Sequence, residues 1–149
     1  MPIEHCRSGC KCMAENCIFC KITHKETEAS IVYEDADVLA FMDIRPVSEG
    51  HTLIIPKKHY VDIFDIPEKL LESTHKVTKK IAIAVKKATK ADGISIVQQN
   101  GKAAGQEIFH LHVHVIPRFE GKKMPRFEEL GLANRETLDK AAVKIKQHL

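Results

Sequence analysis

The chain contains no tryptophan, and aromatic residues make up only 5% of its 149 positions. That scarcity argues against the stacking platforms that hold long single strands of nucleic acid, so no nucleic-acid partner is expected. No apolar run approaches the length of a bilayer span, which excludes a membrane partner. The first sixteen residues lack the apolar block of a signal peptide, and the expected location is the cytoplasm. A strong charge bias is also missing. The net charge of +3 suits an anionic small molecule as well as anything larger, and decides little. Cysteine is absent after position 20: Cys6, Cys10, Cys12, Cys17 and Cys20 all lie within the first twenty residues. An odd, clustered set without an export signal argues against a disulfide framework and for metal binding or free thiols.

The length fits one domain with a proper core. Residues 1–16 are polar and irregular and read as a cysteine-containing extension; residues 17–149 then form the domain. Residues 30–34 and 38–43 are β-favouring runs around Asp35-Ala36-Asp37, a hairpin signal. Residues 50–56 hold a third strand, Thr52-Leu53-Ile54-Ile55, closed by Pro56. Asp65 and Glu68 flank Pro67 and announce a helix. Leu70, Thr74, Val77, Ile81, Ala84, Val85 and Ala88 continue it at helical spacing until Asp92-Gly93, with its lysines on a solvated face. Residues 94–98 and 109–116 are two further strands, joined through residues 101–105. Leu138, Ala142, Ile145 and Leu149 mark a second helix capped by Asn134. The pattern predicts an α+β domain on a mostly antiparallel five-stranded sheet, with one long central helix and a C-terminal helix. A small sheet leaves an edge to cover, so a homodimer is expected.

Within the last strand, Phe109-His110-Leu111-His112-Val113-His114-Val115-Ile116 alternates strictly between imidazole and apolar side chain. Successive strand side chains point to opposite faces, so Phe109, Leu111, Val113 and Val115 are predicted to enter a core. His110, His112 and His114 then line the other face. Solvent-facing polar residues are the plain alternative, but three imidazoles converging on one volume read as a reaction centre. A nucleophilic imidazole attacks through one ring nitrogen while an acceptor holds the proton on the other, and a backbone carbonyl can be that acceptor. The central His112 is the candidate. Residues 101–105 are glycine-bounded and are expected to offer backbone N–H groups to a phosphate. A catalytic zinc on two of the histidines is a second reading of the same spacing.

The sequence from Gln106 through Ile116 resembles the signature of the histidine triad (HIT) superfamily. Leu39-Ala40-Phe41-Met42-Asp43-Ile44 and Gly50-His51-Thr52-Leu53-Ile54-Ile55-Pro56-Lys57-Lys58-His59 resemble the two upstream blocks of its Hint-like branch, and the likeness covers residues 17–118. The resemblance implies a HIT-like fold and a hydrolase or transferase that cleaves at the α-phosphate of a purine nucleotide conjugate. Dinucleoside polyphosphates, nucleoside phosphoramidates and acyl-adenylates are the implied substrates, with a covalent nucleotidyl-histidine intermediate. His112 then matches the nucleophile, His114 a partner contacting phosphate and leaving group, and His51 a histidine near the phosphates. Asp43 matches the carboxylate that binds ribose hydroxyls. Phe19, Ile22, Phe41, Ile44 and Leu53 match the walls around the base, although core packing alone would also explain the apolar ones. Gln99, Gly105, Gln106 and Glu107 match the phosphate-side loop. Many Hint-like members carry serine where this chain has Glu107, a departure that bears on the leaving group. It also keeps open an alternative, a nucleotide-binding regulatory or interaction module with weak turnover.

Cys17-x-x-Cys20 has the spacing of a metal hook and needs two more ligands. His59 and His110 are the candidates, since Hint-like proteins similar to this chain combine such a hook with these two histidines in a structural zinc site. No cofactor is then implied for the chemical step. The other reading of Cys17 and Cys20 is as small buried hydrophobes around Phe19.

Overall fold

Asp35 closes the first hairpin because its carboxylate does the work of a turn. Its Oδ1 accepts from the N–H groups of Asp37 and Val38, at 2.8 Å each, the local bonding that makes Asp a turn residue. The computed structural model describes residues 16–149; Cys6, Cys10 and Cys12 lie outside the described residues. Strands β1 (Ile31–Glu34) and β2 (Val38–Met42) flank that turn, followed by β3 (Thr52–Pro56), β4 (Gly93–Gln98) and β5 (Val113–Arg118). They form one sheet in the order β1-β2-β3-β5-β4, antiparallel at every pairing. Among the described residues three helices accompany it: α1 (Ile18–Thr23), α2 (Glu68–Thr89) and α3 (Arg135–Lys146). Short 3₁₀ turns lie at Lys102–Ala104 and Phe127–Glu129.

The sheet is covered on both faces, which is why β2 and β3 are apolar without alternation. Val32, Val38, Ala40, Met42, Ile54, Val113 and Val115 pack with Val77, Ile81, Ala84 and Val85 of α2 and with Leu138, Ala141, Ala142 and Ile145 of α3. Each fully buried aliphatic in this layer contributes roughly 2 kcal/mol. On the opposite face Leu39, Phe41, Leu53 and Ile55 pack with Phe19 and Ile22 of α1. Asn134 caps α3 as expected, accepting from the Thr137 N–H at 2.8 Å.

Several sequence expectations are corrected. The long helix starts at Glu68 with Pro67 before it and no side-chain cap. Asp65 serves the preceding loop instead, accepting from the Val61 and Asp62 N–H groups at 3.1 Å each. The helix stops at Thr89, where Lys90 turns left-handed at φ 57°, and Gly93 already belongs to β4. Leu149 lies beyond α3 and is exposed. Strand β5 begins at Val113, four residues later than the alternation suggests. Upstream of it the Leu111 N–H bonds to the Tyr60 carbonyl at 2.7 Å rather than to a strand. Phe109, predicted to enter the core, is 42% exposed.

Candidate functional site

His112 and His114 come to the α1 face because Val113 and Val115 go to the helix face. Leu53 of β3 pairs with His114, and His51 lies just before β3. The structure thereby brings His51, His112, His114 and Asp43 together. His112 and His114 have ring centroids 5.0 Å apart, and His51 and His114 5.2 Å apart. Asp43 Oδ2 lies 3.4 Å from His51 Nε2 and 3.9 Å from His114 Nδ1. All three histidines are buried.

The hydrogen bonds fix which ring nitrogens carry protons. His112 Nδ1 lies 2.8 Å from the His110 carbonyl. A carbonyl only accepts, so Nδ1 carries the proton and Nε2 of the neutral ring keeps its lone pair. The Val47 N–H donates to His51 Nδ1 at 3.0 Å, which puts the His51 proton on Nε2. That proton faces His114 Nδ1 at 2.9 Å, so His114 carries its own on Nε2. The His112 and His114 rings are therefore complementary: one presents a lone pair, the other an N–H. Burial lowers all the rings' affinity for a second proton. His51 is pushed down to about 3 and His114 to about 4, by burial first and by neighbouring imidazoles next. His112 is lowered for the same reason, against the opposing bond to the His110 carbonyl. Asp43 is raised to about 6 by burial, partly countered by the Arg45 N–H and guanidinium.

The remaining candidates occupy two groups. Phe19, Ile22, Phe41 and Leu53 belong to one buried apolar cluster, with the Phe19 and Phe41 rings 5.4 Å apart edge to face, while Ile44 is 50% exposed. In the loop that leads to the triad, Gly105 sits at φ +92°, and a Cβ there would approach Gln99 Nε2 to 2.6 Å. The Gln106 side chain is spent inside the protein: Oε1 accepts from the Gly101 N–H at 2.7 Å, and Nε2 donates to the Val61 and Ile108 carbonyls at 2.6 and 3.2 Å. The N–H groups of Ala104, Gly105 and Gln106 bond to the Gly101 and Lys102 carbonyls, so Gly101, Ala104 and Gly105 spend theirs inside the protein. Glu107 is exposed and lines a cavity of about 420 Å³ with Cys17, His59 and Phe109.

Cys17, Cys20, His59 and His110 converge as a separate cluster, their donor atoms within 4.8 Å of one another. Sγ of Cys17 and of Cys20 lie 3.4 and 3.5 Å from His110 Nδ1, and Cys20 Sγ lies 3.3 Å from His59 Nδ1. His110 Nε2 donates to the Pro56 carbonyl at 2.8 Å, which leaves Nδ1 with its lone pair aimed at the thiols. That is the outer-shell arrangement of a metal-ligating histidine. Burial and the Cys17 sulfur push the Cys20 thiol up to about 12; a cation among these donors would reverse that shift. Two thiols and two imidazoles suit a closed tetrahedral Zn²⁺ site. Asp43, His51 and His114 also gather within 4.8 Å. There the protons oppose a metal, because the Val47 bond leaves His51 Nε2 without a lone pair.

Sequence reading anticipated a backbone carbonyl behind the nucleophile but not which residue supplies it, and it missed the other backbone partners. The Val47 N–H and the Pro56, Tyr60 and His110 carbonyls orient the site, and no side-chain signal announces them.

Comparison with known proteins places these features. The HIT domain family model matches residues 24–121. A HIT-like protein of Methanocaldococcus jannaschii is 50% identical over 105 residues, 70% of this chain and 81% of that protein. Adenylylsulfatase HINT3 of Arabidopsis thaliana is 41% identical over 108 residues, 72% of this chain but only 55% of that longer protein. Among solved structures, a Hit-like protein from Bartonella henselae superposes with a TM-score of 0.84 at 44% identity, covering 91% of this chain and 98% of that one. A histidine triad nucleotide-binding protein from Sulfolobus tokodaii gives 0.81 at 38%, covering 89% and 91%. A Zn-bound histidine triad family protein from Mycobacterium smegmatis gives 0.80 at 34%, covering 91% and 94%. With a family model covering most of its length and relatives at this identity, the chain belongs to the HIT family.

Proposed function

We propose that this protein is a nucleotide-binding hydrolase or transferase that cleaves at the α-phosphate of a purine nucleotide conjugate, through a covalent nucleotidyl-His112 intermediate. The observation that carries the reading is the bond from His112 Nδ1 to the His110 carbonyl, which leaves Nε2 unprotonated in a cleft of neutral rings. His112 Nε2 attacks phosphorus and the bond to the leaving group breaks. His114, with its proton on Nε2, donates to the phosphate and the departing group, and His51 holds His114 in that tautomer. Water then attacks the phospho-histidine and gives a proton back to His114 Nε2 as the P–N bond breaks, releasing the nucleoside monophosphate and restoring both rings. Asp43 takes the ribose hydroxyls. Phe19, Ile22, Phe41, Ile44 and Leu53 enclose the base, while Gln99, Gly105, Gln106 and Glu107 form the phosphate-side loop. The naming of one relative as an adenylylsulfatase and of a structural neighbour as nucleotide-binding supports this class of substrate.

Cys17, Cys20, His59 and His110 are proposed to hold a structural Zn²⁺, in keeping with the Zn-bound neighbour. The domain is assigned to residues 17–149 and the location to the cytoplasm; among the described residues no helix is long and apolar enough to cross a membrane. Strand β4 pairs on one side only, with β5, and carries Ile96, 46% exposed. We assign homodimer pairing to this edge.

The test is His112→Asn, assayed on adenosine phosphoramidate, adenosine 5′-phosphosulfate and a diadenosine polyphosphate, with calorimetric titration of AMP. Turnover is expected to vanish while AMP still binds. Normal kcat in the variant defeats the nucleophile assignment. Tight AMP binding by the wild type, with no turnover of any of the three, favours the binding module, for which the exposed Glu107 carboxylate is the argument.

A further inference from the structure

We infer that the cysteine–histidine cluster controls the nucleophile: metal loading there fixes the tautomer and the seat of the His112 ring, acting through the His110 carbonyl and the Phe19 ring. The inference rests on the zinc and nucleophile readings above, and its test separates the three.

His110 belongs to both sites through different atoms. Its Nδ1 faces Cys17 and Cys20, its Nε2 donates to the Pro56 carbonyl, and its own carbonyl holds the His112 proton. A zinc ion bonds such donors at about 2.0–2.3 Å, which at tetrahedral angles sets a thiol and an imidazole about 3.5 Å apart, and the separations here are 3.3–3.5 Å. With zinc in place the His110 ring is pinned on both nitrogens, and the peptide that carries its carbonyl is held with it. Phe19 supplies a second link, because it is one of the two residues between the cysteines. Its ring stands edge-on to His112 at 5.2 Å, to His110 at 5.8 Å and to Phe41 at 5.4 Å. Helix α1 has six residues, too few to persist without tertiary ties. The packing of Phe19 and Ile22 supplies some of them, and Cys17 and Cys20 would add ties to His59 and His110.

Loss of the metal therefore loosens two neighbours of the nucleophile together. Once the His110 carbonyl drifts, nothing keeps the His112 proton on Nδ1, and a proton on Nε2 occupies the lone pair that attacks phosphorus. His110 and Phe19 act here as positioning residues, and the ring nitrogen of His112 is what they position.

The experiment uses the full chain in three forms: zinc-loaded wild type, wild type stripped with dipicolinate, and His59→Ala. His59→Cys is the conservative rescue, since it restores four zinc donors. Three quantities are read: bound zinc by elemental analysis, the His112 tautomer by long-range ¹H–¹⁵N correlation of its imidazole, and kcat and KM on adenosine phosphoramidate. Zinc-loaded protein is expected to show only the Nδ1–H tautomer. Stripped protein and His59→Ala are expected to show a mixed or Nε2–H signature and a kcat lower by about 10- to 100-fold, the usual effect of an outer-shell partner, with KM changed far less. His59→Cys recovers zinc, tautomer and most of kcat. If His59→Ala does not fold, the stripped wild type decides. An unchanged tautomer after zinc removal overturns the inference and leaves the zinc site standing. A wild type that takes up no zinc overturns both. Should turnover be absent in every form, the enzymatic reading fails, while the tautomer comparison still decides the inference.

Discussion

Lowering the pH from 7 to 5 should destabilise this fold by at least about 3 kcal/mol, and the reason lies in the protonation of its buried histidines and of Asp43. His51 and His114 have proton affinities near 3 and 4 in the fold, against an ordinary 6.5. In the unfolded chain both titrate normally. A histidine held neutral by burial contributes stability in full above its unfolded value, and that stability drains as pH falls toward its folded one. At pH 5 each unfolded ring has gained a proton that the folded ring refuses, a loss of about 2 kcal/mol per residue at 1.36 kcal/mol per pH unit. Asp43 works in the other direction. Its folded value of about 6 exceeds its ordinary 3.8, so between those values the fold binds the extra proton and returns about 1 kcal/mol at pH 5. The two histidines outweigh it, and the lowered His112 adds to their side.

A domain of this size has roughly 5–15 kcal/mol in hand, so the change is large enough to measure directly. Urea unfolding should be followed by far-ultraviolet circular dichroism, since the chain has no tryptophan to report. Chelator at every pH keeps metal off Cys17, Cys20, His59 and His110, so His110, pushed down to about 3 by burial, and His59, lowered by burial, add to the fall. The expected result is a fall in the midpoint from pH 7 to 5 at constant m-value. A midpoint that is flat or rises over that interval refutes the proton assignments of the whole cluster, because Asp43 would then dominate or the rings would be solvated.

Other perturbations follow from single positions. Gly105→Ala places a side chain at φ +92° and should cost about 1–2 kcal/mol by urea unfolding; the Gln99 amide it meets is the end of a flexible chain and can yield. AMP affinity should fall in the same variant, as calorimetry would show, because the loop leads straight into the triad. Asn134→Ala removes the bond to the Thr137 N–H and should lower stability by about 1 kcal/mol with kcat unaffected. A loss well under half that would mean that packing of Leu138 and Ile145, rather than the cap, fixes the start of α3.

Elements whose signal is carried by side-chain period were legible in the sequence. The β2 and β3 runs, the α2 stripe from Thr74 to Val85 and the Asn134 cap all appear where their residues place them. The four-residue error at β5 has a physical cause. Residues 109–112 alternate like a strand, but the chain bends at Phe109 and His110, and their partners are the Tyr60 and Pro56 carbonyls and the His110 carbonyl itself. Alternation of residue type carries no information about whether a neighbouring strand is there to pair with. Asp65 misled for a related reason: a carboxylate that caps a helix can equally close a loop, and here the Val61 and Asp62 N–H groups were nearer. The convergence of Cys17 and Cys20 with His59 and His110 could be inferred only through resemblance, since those residues are separated by up to 93 positions. Nothing local in the chain brings them together.

The placement of the triad after an irregular segment, at the mouth of a central strand, resolves a conflict between stability and chemistry. Buried imidazoles are costly wherever they lie, yet an attacking ring must be dry to stay neutral and fixed to stay aimed. Strand β5 meets both demands by lying between β3 and β4, so its position is held by ladders on two sides. Its odd residues, Val113 and Val115, lock into the same cluster as Ile81 and Ile145, while its even residue His114 is presented to the cleft. His112, one step before the ladder begins, has its N–H turned to a carbonyl in its own chain. A ring on the paired part of the strand would find that nearest carbonyl already committed to a neighbour. The late start of β5 is thus what leaves the His110 carbonyl free to set the tautomer.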